Sequence, residues 1–169
     1  MNLILDTFNG LDNDAALASL MSCCASHRWA LSVATLRPFK DEEALFTIAD
    51  FIWNKMQEPD WMEAFRAHPR IGERKPAQAS AQSKEWSSQE QAAIHSSHAE
   101  ILAELASENL RYEKQFGFMY IVCATGKSAE EMLAILQTRL ANDRHTELRE
   151  AAEQQRQITQ IRLRKWLQI

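Results

Sequence analysis

No window of this chain sustains an alternation of apolar and polar residues, and only four glycines and four prolines punctuate its 169 residues. A β protein needs that alternation and frequent turns, so their joint scarcity leaves helices to satisfy the backbone. The expected fold is all-α: one single-domain multi-helix bundle over residues 1–169. With 46% hydrophobic and 25% charged residues, the chain is able to bury a sizeable core.

Helix signals recur along the chain. Asp12-Asn13-Asp14 caps an expected first helix with Leu17, Leu20 and Met21 on one stripe, and a short second helix is expected after Ser26. Pro38 breaks the chain. Asp41-Glu42-Glu43 then leads a helix with Leu45, Ile48, Ala49, Ile52 and Met56 at helical spacing, and Pro59 opens the helix that runs toward His68. From Pro69 to Ser87 the apolar pattern stops, and a long loop is expected. Ser87-Ser88-Gln89-Glu90 matches a capping box, with Ser87 as N-cap and Glu90 at the third helical position of a helix reaching about Glu108. The run Met119 to Ala124 reads equally as buried helix or extended segment. Ser128 caps a helix with Met132, Leu133, Leu136 and Leu140, and a long last helix starts near Thr146.

Several function classes recede on composition. A formal net charge of −4 argues against a general nucleic-acid binder, and the basic stretch from Arg156 to Lys165 has the spacing of a solvated helix face. Cys23, Cys24 and Cys123 show no CxxC spacing and read as reduced packing residues of a cytoplasmic protein. The start Met-Asn-Leu-Ile-Leu-Asp is not a secretory signal, and no apolar run reaches the ~18–20 residues that span a bilayer. Neither nucleic acid nor membrane is an expected partner. Gly126-Lys127-Ser128 lacks the earlier glycine of a phosphate loop, since Ile121 stands there. His95 and His98 have no third ligand at a characteristic spacing, so no metal is expected. Trp29, Trp53, Trp61 and Trp86 have helical neighbours and read as core or interface anchors.

The segment with chemistry beyond core building is Ala67-His68-Pro69-Arg70-Ile71-Gly72. Proline disfavours the α region for the residue before it, so His68 belongs at a helix end, where partial negative charge favours imidazolium. Such a group exchanges protons near neutral pH. Ser87, Glu90 and Gln91 combine donors and acceptors at a place read as a helix N-terminus, which suits an anionic or carbonyl-bearing ligand. Arg162 and Arg164 lie on the last helix, and a guanidinium on its buried side needs an anionic partner such as a substrate carboxylate.

The segments Leu36-Arg37-Pro38-Phe39, Ala67-His68-Pro69 with Gly72, Ser87-x-x-Glu90-Gln91, Phe116-Gly117-Phe118 into Tyr120-Ile121-Val122-Cys123-Ala124, Arg139-Leu140-x-Asn142 and Ile161-Arg162-Leu163 occur in that order. Over nearly the whole chain this resembles the 2-oxo-4-hydroxy-4-carboxy-5-ureidoimidazoline (OHCU) decarboxylases, the last enzymes of the route from urate to (S)-allantoin. One departure is Arg70-Ile71-Gly72-Glu73, where the family pattern has an acidic and a small residue before the glycine and a lysine after it. The resemblance implies an all-α homodimer without a cofactor, acting on OHCU supplied through uricase and 5-hydroxyisourate hydrolase. It implies His68 as general acid/base, Glu90 as the carboxylate on ureido or ring N–H groups, and Arg162 as the partner of the leaving carboxylate. Pro69, Ser87, Ser88, Gln89, Glu90, Gln91, Tyr120, Ile121, Val122, Cys123 and Ala124 would line the pocket. Two other readings are a helical partner-binding adaptor of the urate pathway and an inactive partner of a transthyretin-linked fusion; in an adaptor nothing around His68 would matter.

Overall fold

The computed structural model describes residues 2–71, 81–90 and 99–169. Among these the chain forms nine helices and no strand. It divides into two compact units, residues 1–64 with 156–169, and residues 65–155. Among the described residues no helix is long and apolar enough to cross a membrane.

The first unit contains α1 (Leu3–Asn9), α2 (Asn13–Cys23), α3 (His27–Ala34), α4 (Glu42–Trp53), most of α5 (Glu58–Arg66) and the end of α9 (Arg144–Leu167). α1 precedes the first helix that the sequence signals at Asp12. Asn2 caps it through Ile4 N at 3.0 Å, and Leu5 and Phe8, three apart, supply its buried face. Asp12 and Asp41 accept from Ala15 N and Ala44 N, both at 2.8 Å, starting α2 and α4 where expected. Ser26 precedes α3 without a side-chain cap bond. The core gathers Leu20, Cys23, Trp29, Val33, Leu45 and Leu163. Burying each large apolar side chain contributes roughly 1.5–3 kcal/mol. Trp29 adds a bond from Nε1 to the Ala49 carbonyl at 3.0 Å, and Asp50 takes Arg156 at 2.7 Å. The basic stretch is therefore not a uniformly solvated face: Arg156 is paired, and Arg162 is buried.

The second unit contains the His68 turn, α6 (Ala81–Glu90), α7 (Ala99–Phe116), α8 (Ala129–Arg139) and the first part of α9. α7 packs on α8. Leu105, Tyr112, Phe116, Phe118, Met132 and Leu136 form its core, with Tyr112 against Phe116, Phe118 and Tyr120 at 4.7–5.8 Å between ring centroids.

The structure corrects one helix start. Ser87 lies inside α6, which begins by Ala81. Ala81, Gln82, Lys84 and Glu85 are strong helix formers, and Ser83, Trp86 and Ser87 give the helix a buried face at spacings of three and four. Inside a helix the amides that a capping box would satisfy already bond four residues back, so Ser87 caps nothing. Ser128 has the same pattern and is a cap: Glu131 N donates to Ser128 Oγ at 3.1 Å, and Ser128 N donates to Glu131 Oε2 at 2.7 Å. Residues 119–124 are not helical.

Candidate active site

α5 stops just before the Ala67-His68-Pro69 turn, as the proline requires. His68 N donates to the Phe65 carbonyl at 3.1 Å, and the Phe65 ring packs on Phe118 at 5.7 Å, anchoring the turn. The His68 ring is half-buried, with Nε2 at 2.6 Å from Oε1 of Gln155 on α9. An amide oxygen only accepts, so in this arrangement Nε2 carries the proton. Pro69 and Ile71 are buried. Arg70, at the departure from the family pattern, is engaged by Glu113 of α7 through two guanidinium nitrogens, Nη2 to Oε2 at 2.9 Å.

The second component is the non-helical segment 119–124. It lies between Gly117 and Gly126, whose φ angles of 80° and 78° glycine adopts without a Cβ penalty. Residues 120–124 are all buried. Tyr120 OH donates to the Met132 carbonyl at 3.0 Å, the Cys123 N–H donates to Gln154 Oε1 at 2.8 Å, and the Cys123 carbonyl accepts from Lys127 Nζ at 2.7 Å. The Gly-Lys-Ser sequence that looks like a phosphate loop is thus a turn, a tether and a helix cap. The Val122 N–H, the Val122 carbonyl and the Ala124 N–H have no hydrogen-bond partner among the described residues. Buried backbone groups are nearly always paired, so these are groups a polar ligand can satisfy.

Gln154 and Gln155 are consecutive on α9, so two adjacent helix positions hold the amide of Cys123 and the catalytic-candidate ring respectively. This juxtaposition has no signal in the sequence, where the two glutamines read as ordinary polar helix residues.

Behind the segment is a charged cluster that the sequence reading did not assign. Arg139 donates through Nη1 to the Ile121 carbonyl at 2.7 Å and through Nε to Glu147 Oε1 at 2.8 Å. Glu147, fully buried, also accepts from Tyr112 OH and from Asn142 Nδ2, the latter at 2.8 Å. Burial opposes the Arg139 charge, but the Glu147 hydrogen bond and the surrounding charges outweigh it and raise its pKa. Burial pushes the Tyr112 and Tyr120 hydroxyls above their ordinary range despite the Arg139 charge. Arg139 and Asn142 belong to one of the ordered motifs, and the structure gives that motif a job: through Arg139 it holds the Ile121 carbonyl of the segment, and through Asn142 it holds Glu147.

The remaining expected residues are distributed as follows. On α6, Ser87 is buried and Glu90 half-buried, whereas Ser88 and Gln89 are exposed; successive helical residues turn by about 100°, so the expected continuous lining is split between faces. Gln91 lies outside the described residues, as do Gly72, His95 and His98. Since α6 begins by Ala81, there is no helix N-terminus at Ser87 to receive an anion. Arg162 belongs to the first unit, where it is 4% exposed and its charge acts on the buried thiols of Cys23 and Cys24. Among the described residues no group of three or more His, Cys, Asp or Glu is placed to hold a metal ion.

A profile of the family described as OHCU decarboxylase matches residues 9–164. The chain belongs to the OHCU decarboxylase family. It is 38% identical over 144 residues to the uric acid degradation bifunctional protein TTL of Arabidopsis thaliana, which covers 85% of this chain but 44% of that protein, so the chain spans less than half of that relative. It is 29% identical to 2-oxo-4-hydroxy-4-carboxy-5-ureidoimidazoline decarboxylase of Amia calva, over 82% of this chain and 79% of the relative. Among solved structures it is similar to OHCU decarboxylase crystallised in the presence of (S)-allantoin, with a TM-score of 0.76 and 35% identity over 88% of this chain and 96% of that one. That likeness agrees with the all-α fold of this OHCU decarboxylase family member.

Proposed function

We propose that this chain decarboxylates OHCU to (S)-allantoin in urate degradation, acting without a cofactor. Loss of carbon dioxide leaves an electron pair on the carboxyl-bearing ring carbon. In OHCU that carbon adjoins a ring imine conjugated to the ureido group, so the substrate itself accepts the pair. The carbon–carboxylate bond breaks, a double bond forms between the two ring carbons, and the imine nitrogen takes a proton. The hydroxyl proton then leaves as a ring carbonyl forms, and a proton delivered to one face of the ureido-bearing carbon gives one enantiomer. The protein binds, orients and moves protons.

In this scheme His68 takes the hydroxyl proton and returns one to carbon. Glu90 holds ureido or ring N–H groups, Arg162 pairs with the departing carboxylate, and Pro69, Ser87 and Gln91 complete the pocket with the backbone of residues 120–124. The exposed Ser88 and Gln89 take part through their helix rather than by side-chain contact. The observation that carries the reading is that the His68 ring and the Cys123 amide are tied to consecutive residues of α9, beside buried amides of residues 122 and 124 that have no partner among the described residues. An adaptor has no use for that arrangement. The proposal includes a cytoplasmic homodimer working as one functional domain, supplied through uricase and 5-hydroxyisourate hydrolase.

The test is stereochemical. OHCU is generated freshly from urate with uricase and the hydrolase, and the circular dichroism of allantoin is followed with and without this protein. Rapid growth of the (S)-allantoin signal is expected; racemic product at the uncatalysed rate would sink the proposal. His68→Ala and His68→Gln are expected to remain folded and lose about a hundred- to ten-thousand-fold in turnover.

A further inference from the structure

We propose that Gln155 is a positioning residue that holds the His68 ring in one tautomer, Nε2–H, and so presents Nδ1 as the nitrogen that exchanges protons with substrate. This deepens the decarboxylase reading and rests on it. The geometry has three parts. First, the Gln155 Oε1 to His68 Nε2 distance is 2.6 Å, a short and well-formed hydrogen bond. Second, Gln155 is 1% exposed, so water does not compete for its amide. Third, its neighbour Gln154 bonds the Cys123 amide at 2.8 Å, and Gln154 in turn donates to Glu150 at 3.0 Å, so the same stretch of helix sets the ring relative to the 119–124 segment.

Free imidazole exchanges between two neutral tautomers, and a ring that must accept a proton at a particular atom loses activity whenever the proton sits there. A fixed acceptor on the opposite nitrogen removes the wrong tautomer, the role that a buried carboxylate performs for catalytic histidines elsewhere. Here the acceptor is neutral. A carboxylate would favour imidazolium and bias the ring toward holding its proton; an amide orients without adding charge. The charged groups on the elements around the turn include Glu63, Arg66 and Arg70 on its own segment, Glu113 of α7 against Arg70 with Arg111 and Lys114 on the same helix, and on α9 Glu150, bonded by Gln154, with Glu153 and Arg156 flanking Gln155.

Two substitutions separate positioning from packing. Gln155→Met keeps length and burial but removes the acceptor, and it is expected to lower kcat at least about tenfold with KM within about twofold. Gln155→Glu restores an acceptor with charge, and the acidic limb of its kcat/KM profile is expected to move up by about one pH unit. Nitrogen-15 shifts of labelled histidine, with His68→Asn to assign the resonance, read the tautomer without reference to turnover. Protonated Nε2 is expected in the wild type and a mixture in Gln155→Met. Wild-type kcat in Gln155→Met with an unmoved limb in Gln155→Glu would overturn the proposal, as would a wild-type ring protonated at Nδ1. If the wild type fails to decarboxylate OHCU while its Nε2–H tautomer depends on Gln155, the functional reading fails and the positioning role stands.

Discussion

Arg139 donates to the Ile121 carbonyl at 2.7 Å with the same guanidinium that Glu147 holds in the core. The charge buried against Glu147 in the second unit is therefore also the charge that pins the 119–124 segment of the candidate site. Removing one member of a buried, hydrogen-bonded pair leaves the other uncompensated, at a cost of about 3–5 kcal/mol. Arg139→Met and Glu147→Met are each expected to lose stability on that scale in urea unfolding, and the double variant less than the sum. Strict additivity would mean that the two side chains are not coupled.

Glu90 is half-buried in α6, and Ser87 is not a cap there. Glu90→Gln therefore breaks no capping box, and its melting temperature is expected to match the wild type to within the equivalent of about 1 kcal/mol. Turnover is expected to fall by at least about tenfold, because the negative charge on substrate N–H groups is gone. Normal kinetics in this variant would remove Glu90 from the site.

At Gly117 and Gly126 an added Cβ would meet nothing within 4 Å, yet both residues have φ near +80°. Alanine at Gly126 is thus expected to cost about 1–2 kcal/mol from backbone conformation alone. Chemical denaturation measures the cost directly. Asparagine at the same position should recover part of it, since Asn tolerates the left-handed region.

Alkaline pH is expected to destabilise the fold. Burial pushes the Cys24 thiol from its ordinary value of 9.0 up to about 12, against bonds from Thr159 and Ser26 and the Arg162 charge, and it raises the Tyr112 and Tyr120 hydroxyls too. These groups stay protonated in the folded state where the unfolded chain ionises. Their contribution is complete below about pH 9 and is lost as pH rises toward about 12. Urea midpoints measured from pH 7 to 11 should hold level and then fall; a midpoint that rises above pH 9 contradicts the assignment.

Much of this is legible in the sequence. The lack of alternation implied helices, Pro69 placed His68 past a helix end, Asp12, Asp41 and Ser128 marked helix starts, and the ordered motifs pointed to the family. These are local properties, in which a residue constrains its neighbours within about one turn. Ser87-x-x-Glu90 and Ser128-x-x-Glu131 mark where locality fails. The same pattern is a helix interior in one case and a cap in the other, because Ala81–Glu85 extend the first helix upstream whereas Gly126 interrupts the chain before the second.

What the sequence alone determined is the fold class, the family and the position of the titratable ring relative to its own helix. Tertiary structure decided what that ring touches. Gln155 is 87 residues from His68, Gln154 is 31 from Cys123, and Arg139 is 18 from Ile121, so each bond depends on how separate elements pack. The same holds for residues 119–124, whose apolar run suits a buried helix equally well. They are not helical, and Arg139 and Gln154, both distant in sequence, satisfy part of their backbone while Lys127 does so from four residues on; no local preference of the segment could have supplied the first two partners.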